Sequence, residues 1–417
     1  MRKVLLLATT TGYQIRAFGE AARKLDVKLV FASDRCDQLD DPWWDQAIPV
    51  RFHEEAPSVD AVVEAFGGTR PAGVLAVGDR PVPLAARVSR AFDLQGHSPA
   101  AAAATRNKLA MRQALSSANL PVPWFHVFQA DASSDSVAAA VQYPCVVKPL
   151  ALSGSRGVIR ANDPGELTQA ITRVRAILRA SDVRAERDAA HDAVLVEQFI
   201  PGREFAVEGL LTGGEFRILA LFDKPDPLDG PYFEETIYVT PSALDGAGQS
   251  AMRDAIAAAA LALDLWHGPI HAECRVNDSG VNVLEVAARP IGGLCARALR
   301  FNDDAISLEE VLLRHAMGED VSACRQVPGA SGVMMIPIPK RGIYRGVDGV
   351  GEARAVPGVA EIQITAKPDT MLVPLPEGKS YLGFVFARGA DADAVDRALR
   401  DAHARLQFAI DREVAVI

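Results

Sequence analysis

Glu273 and Glu285 are the residues most able to do chemistry, because a short hairpin would bring them together. His271-Ala-Glu273-Cys-Arg275-Val276 alternates in polarity, Asn277-Asp278-Ser279-Gly280 is turn chemistry, and residues 281–286 form a return strand. A three-residue loop over 278–280, with Gly280 in the left-handed position, pairs Asn277 with Val281 and sets Glu273 opposite Glu285. Two carboxylates opposed on one face repel each other. A divalent cation between them removes the repulsion, and carboxylate oxygens suit Mg²⁺. The alternatives are a loop one residue longer, which would face them apart, or neutralisation by Arg275 and Arg289.

Two lysines supply positive charge. Lys148 ends the β-branched run 143–148, just before the loop Ser153-Gly-Ser-Arg-Gly157. Backbone N–H groups of such a loop wrap phosphate oxygens, and a lysine beside it adds charge. The alternative is a solvated strand end, and for Lys108, in Thr-Arg-Asn-Lys, a helix surface. Gly378-Lys379-Ser380 imitates the end of a phosphate loop, but Val373 stands where the upstream glycine belongs, so the match fails. Glu197 and Glu204 flank a tight Pro-Gly turn, a corner able to grip the amino and hydroxyl groups of a nucleoside. Residues 224–235 are rich in Pro and Gly and join two strands. They are expected to line a substrate pocket, with Glu235 or Glu234 meeting an ammonium group, unless they form a surface loop.

These side chains need rigid elements to hold them. Residues 3–8, 27–32 and 73–77 are apolar runs separated by helical stretches, which is the pattern of a parallel sheet covered on both faces. Its strand ends carry Gly12, Asp34 and Asp79, where open α/β sheets bind ligands. Residues 100–119 read as one Ala-rich helix stopped by Pro121. Residues 120–205 read as a compact α+β unit, 205–325 as an antiparallel sheet with a helix near 250–265, and 330 onward as a small α/β appendix. The expected boundaries are 1–105, 106–205, 206–328 and 329–417. The fold class is thus α/β and α+β.

Composition narrows the function. The 417 residues carry 44 Lys and Arg against 53 Asp and Glu, a net charge of −9. That acidic balance lacks the basic footprint of a nucleic-acid binder. The apolar runs fall short of the ~18 residues a membrane helix needs. Five scattered cysteines, with no C-x-x-C pair, point to a reducing cytoplasm rather than a disulfide framework or a zinc ribbon. Ala8-Thr-Thr-Thr-Gly12 has no G-x-G-x-x-G, so dinucleotide binding is not expected. His267 and His271 lack a third ligand at zinc spacing. Asp303-Asp304 and Glu309-Glu310 read as helix-start charges near Ser307.

The order of these motifs resembles the ATP-grasp superfamily: Lys108, Lys148 before a Gly/Ser loop, Glu197-x-Phe-x-x-Gly-x-Glu204, Glu273, and Glu285-x-x-x-Arg289. The resemblance implies an ATP-grasp fold, in which an N-terminal doubly wound domain precedes two α+β subdomains that clamp ATP. It implies that Lys108 and Lys148 touch the phosphates and that Ser153, Gly154, Ser155 and Gly157 form a mobile lid. Glu197 and the Phe199 backbone would hold adenine, and Glu204 the ribose. Glu273 and Glu285 would hold Mg²⁺ or Mn²⁺. Arg289 and Lys148 would serve catalysis, and Arg289, Glu235, Glu234 and His271 would face substrate. Many members carry Glu-x-Asn, with Asn as a further metal ligand, but here Ala287 stands in that place. Glu285-Val-Ala-Ala-Arg289 and the block from Ser331 are similar to the bacterial L-amino-acid (dipeptide) ligase branch. The implied activity is an ATP-dependent carboxylate–amine ligase releasing ADP and phosphate, acting on small carboxylates and amines, with a homodimer allowed for. A biotin-carboxylase-like subunit is an alternative, although no Met-Lys-Met carrier motif is present. A non-catalytic nucleotide-binding relative, with Ala287 as its lesion, is another.

Overall fold

In the computed structural model, residues 1–9, 14–34 and 47–412 are described, so the expectation for Gly12 lies outside them. The apolar runs near the N-terminus form β1 (Arg2–Ala8), β2 (Val27–Ser33), β3 (Ile48–Pro49) and β4 (Gly73–Val77), paired in parallel in the order β3-β2-β1-β4. Strand alternation splits β1 between two cores. Leu5 and Leu7 pack with Val62, Phe66 and Leu84, while Val4 and Leu6 pack with Phe18 and Leu312. Both faces are therefore buried, as a continuous apolar run requires. Asp34 accepts a hydrogen bond from Arg80 at 2.9 Å.

The single helix expected over 100–119 is two helices, Pro99–Arg106 and Lys108–Ser117. Asn107 breaks it. Its backbone is extended at φ −117°, and its side chain accepts from the N–H groups of Leu109 and Ala110 at 3.0 and 3.2 Å. Asn competes for backbone partners in this way and so caps rather than continues a helix. Lys108 becomes the first residue of the second helix, with its N–H donating to the Leu150 carbonyl at 2.9 Å.

Next come β5 (Phe125–Gln129), β6 (Cys145–Pro149), β7 (Ile159–Ala161) and β8 (Ala193–Gln198), an antiparallel sheet in the order β5-β8-β6-β7. Helix Pro164–Arg179 covers it, capped by Asp163 and burying Leu167, Ile171 and Val174. The rest of the chain builds β9 (Arg203–Thr212), β10 (Glu215–Asp223), β11 (Ile237–Thr240), β12 (Gly268–Asn277), β13 (Gly280–Ala287), β14 (Ala330–Ile336), β15 (Gly342–Asp348), β16 (Val359–Ile364), β17 (Met371–Leu372), β18 (Gly383–Gly389) and β19 (Gln407–Asp411). Eight of these make one antiparallel sheet in the order β13-β12-β9-β10-β11-β14-β18-β16. The C-terminal strands thus continue the central sheet, with Tyr238 of β11 paired to Val333 of β14. Strands β15, β17 and β19 form a separate small sheet. Among the described residues, no helix is long and apolar enough to cross a membrane.

The β12–β13 hairpin corrects one step of the sequence argument and keeps its conclusion. The loop has two residues, not three, because Asn277 pairs with Gly280 and Val276 with Val281. A bulge at Leu284 then shifts the register, so Glu273 still pairs with Glu285.

Candidate active site

A cavity of about 350 Å³ opens above the β12–β13 hairpin. Its walls come from the ends of β4, β6 and β8, the loop after β6, and the segment before β18. Glu273 and Glu285 form part of its floor, with 26% and 27% of their side-chain surface exposed. Among the described residues, neither forms an ion pair with Arg275 or Arg289. Lys224 Nζ stands 3.3 Å from Glu273, and Lys108 Nζ stands 3.4 Å from Glu285. Burial pushes the Glu273 carboxyl up, but the Lys224 ammonium and the neighbouring His271 ring outweigh it and hold the group down at about 2.

Glu197 was expected to meet adenine, and here the structure corrects the assignment. Its carboxylate accepts two bonds from Arg112, from Nε at 2.8 Å and Nη2 at 3.1 Å, and a third from Lys148. Three of its roughly four lone pairs are engaged. Burial favours the neutral acid, yet Arg112 and Lys148 hold its pKa down at about 2. Burial draws Lys148 down to about 8 despite Glu197. Glu197 therefore positions Lys148 at the cavity wall. The Phe199 N–H is also occupied, donating to the Pro144 carbonyl at 3.1 Å. Among the described residues the Ile200 N–H donates to no group, and Ile200 lines the same wall.

Lys224 organises the opposite corner. Its ammonium donates to Glu204 at 2.8 Å and to Glu235. Glu204 also accepts from Arg275 Nε at 2.9 Å. Burial lowers the Lys224 pKa, but Glu204, Glu235 and Glu273 together raise it well above the ordinary lysine value. The expectation that Glu235 is free for an ammonium ligand is corrected as well. Tyr238 Oη donates to it at 2.7 Å and Lys224 is bonded to it, while burial and Glu273 push its carboxyl up. Glu234 does not line the cavity, and its carboxylate interacts with the Ile338 backbone.

Arg289 does line the cavity, but its fork already grips Asp79 through Nε at 2.9 Å and Nη2 at 3.2 Å. The grip ties the strand-end acid of the N-terminal domain to the residue just past β13. His271 lines the cavity too. Its Nδ1 is 3.2 Å from Glu208 Oε2, and its Nε2 is 3.9 Å from Glu273. Glu208 is fully buried, and burial pushes its carboxyl up. In the loop after β6, Ser153, Gly154 and Ser155 face the cavity. Gly157 does not. A Cβ there would stand 2.8 Å from the Pro149 ring, so this glycine, at φ +75°, permits a close turn rather than a ligand contact.

Residues 141–298 match the ATP-grasp domain family. Residues 334–411 match the L-amino acid ligase C-terminal domain 2 family. The chain carries an ATP-grasp domain. A crystal structure of an L-amino acid ligase from Bacillus licheniformis superposes with a TM-score of 0.83 at 24% identity, covering 99% of each chain. The uncharacterized protein y4rH of Sinorhizobium fredii is 26% identical over 98% of this chain and 84% of its own length. A formate-dependent phosphoribosylglycinamide formyltransferase of Variovorax paradoxus is 28% identical over 65% of this chain and 63% of its own.

Two opposed carboxylates open to one cavity form an all-oxygen donor pair, which fits Mg²⁺ or Mn²⁺. Ala287 adds no ligand. Glu204, Glu235 and Glu273 also place one oxygen each within 4.8 Å of the others, but Lys224 is bonded among them. Sequence reasoning missed Lys224, Glu208, Arg112 and the role of Asp79 in this site. Two of them left a signal. Glu208 is the lone acid in the apolar run Phe-Ala-Val-Glu-Gly-Leu-Leu, and Arg112 shares a helical stripe with Lys108, Met111 and Leu115.

Proposed function

We propose that this ATP-grasp protein is a carboxylate–amine ligase that joins two amino acids through a peptide bond, with ATP converted to ADP and phosphate. The observation that carries the reading is the cavity itself. Opposed Glu273 and Glu285 face Lys108 and Lys148, and the wall beside them is completed by the segment that matches the L-amino acid ligase C-terminal family.

A substrate carboxylate oxygen attacks the γ-phosphorus, the bond to the β-phosphate oxygen breaks, and ADP leaves. Lys148, oriented by Glu197, and Lys108, held by the Leu152 carbonyl at 2.8 Å and by Glu285, stabilise charge on the phosphates. Glu273 and Glu285 would hold the divalent cation, which supplies further charge neutralisation at the transferred phosphate. Loop 153–157 closes over the site and keeps water from the acyl phosphate. The amine then attacks the acyl carbon, the carbon–oxygen bond to phosphate breaks, and the nitrogen releases its proton. Four described cysteines are free and buried, which suits a reducing cytoplasm.

Phosphate release with Mg·ATP over all pairs of common amino acids tests the proposal, with nucleotide analysis beside it. ADP formed only with a productive amino-acid pair is the expected result. AMP as the stoichiometric product overturns the acyl-phosphate route. Release with a non-amino carboxylate and no amino-acid pair leaves the ligase and removes the dipeptide.

A further inference from the structure

Among the described residues, five Lys and Arg side chains line the cavity, and four are already paired: Lys108 with Glu285, Lys148 with Glu197, Arg275 with Glu204 and Arg289 with Asp79. The fifth is Lys379, from the segment just before β18. Among the described residues its ammonium makes no hydrogen bond or ion pair. Asp182 feels its charge, but Arg156 already grips that carboxylate through both oxygens at 2.6 and 3.2 Å.

Lys379 is held at the cavity mouth by a built loop. The Gly378 N–H donates to the Pro374 carbonyl at 2.8 Å, and a Cβ on Gly378 would fall 1.8 Å from the Val373 oxygen, so only glycine makes this turn. The loop is fastened at three points to the side of the cavity built by the β5-β8-β6-β7 sheet, its Gly/Ser loop and its covering helix. The Gly157 N–H donates to the Pro376 carbonyl at 2.9 Å, Arg156 Nε donates to the Glu377 carbonyl at 2.8 Å, and Arg173 grips the Glu377 carboxylate with two bonds of 2.8 Å. The Lys379 carbonyl lies 3.9 Å from where a Cβ on Gly154 would stand, directly against the Gly/Ser loop.

We infer that Lys379 is a third phosphate-binding lysine, carried from the C-terminal segment onto the triphosphate together with the Gly/Ser loop. A polyanion entering a cavity whose other cations are matched needs an unmatched one, and an exposed lysine reaches it without a desolvation penalty on the empty state. This rests on the proposed ATP site.

The test measures Kd for Mg·ATP and for adenosine by calorimetry in wild type, Lys379→Ala and Lys379→Arg. Lys379→Ala should weaken Mg·ATP binding by about tenfold, the usual effect of one charge-assisted contact. Adenosine binding and Tm should not change, and Lys379→Arg should bind within about threefold of wild type. Equal Kd for Mg·ATP in wild type and Lys379→Ala overturns the inference alone. A wild-type chain that binds no Mg·ATP overturns the ligase proposal and this inference together.

Discussion

Glu273 and Glu285 stand opposite each other because a bulge at Leu284 offsets a hairpin loop one residue shorter than turn chemistry suggested. A register slip of one residue moves a side chain to the other face of a sheet. The bulge therefore decides whether the second acid faces the cavity, and each acid is countered by a different lysine.

Glu285→Gln should abolish turnover and leave the apo protein almost as stable. The Lys108–Glu285 pair spans 3.4 Å with its acid about a quarter exposed, and such pairs contribute about 0–1 kcal/mol. Thermal melting without nucleotide should shift by no more than about 2 °C. A larger fall would make Glu285 a structural anchor.

Glu197→Gln should be far more disruptive. It leaves Arg112, 1% exposed, and Lys148 buried without their shared counter-charge. Breaking a buried pair from one side costs about 3–5 kcal/mol. A clear drop in Tm, exceeding that of Glu285→Gln, is the outcome to look for, and equal melting would refute the buried trio.

Mg·ATP affinity should fall as pH rises through about 8. Lys148 loses its proton there, well below an ordinary lysine, and an uncharged amine no longer attracts phosphate. Bound nucleotide favours the charged form, so binding should take up a proton near that pH. Lys148→Arg keeps its charge and should flatten the profile, which calorimetry across pH 7 to 9 would reveal.

Arg289 and Asp79 should act as a unit. Arg289→Lys loses the two-pronged grip, and Asp79→Asn loses its charge, so each should lower kcat/KM by about tenfold and the double variant should be little worse. Additive losses, or a mild Asp79→Asn beside a severe Arg289→Lys, would mean that Arg289 acts on substrate directly.

Acid should destabilise the protein through a histidine cluster away from the cavity. The His267 and His315 rings stack 4.2 Å apart, His315 Nε2 is 2.9 Å from Thr212 Oγ1, and the His97 ring accepts from the Trp266 N–H at 3.1 Å. Burial pushes His97 and His315 down to about 4, with His267 beside both and Arg217 beside His315 adding to the effect. The unfolded chain binds more protons between about pH 6.5 and 4, so stability is full above that window and declines as pH falls through it. His315→Gln should make the decline in Tm shallower, and an unchanged slope would exclude this ring as a source.

Much of this architecture was readable from local pattern. The apolar runs at β1, β2 and β4, the strand before the Gly/Ser loop and the carboxylate hairpin all follow from periodicity and turn residues. The partners of those acids were not readable. Lys224 meets Glu204, Glu235 and Glu273 only after β9, β10 and β12 are side by side, a long-range fact that no local window contains. The partner of Arg289 was not readable because Asp79 lies 210 residues away in sequence. Asn107 was overlooked for a simpler reason, since Ala-rich flanks masked its capping role.

The central sheet joins strands from residues 203–287 to strands from residues 330–389, and β11 has β14 as its outer neighbour. Ile237 and Val239 are buried partly by that neighbour's side of the core. While the chain is being synthesised, β11 therefore waits as an unprotected edge until residues 330–336 emerge from the ribosome. An open edge of this kind recruits foreign strands. The last part of the protein cannot be exchanged or trimmed as a module, because the remainder would be left with an adhesive border where its own sheet should continue.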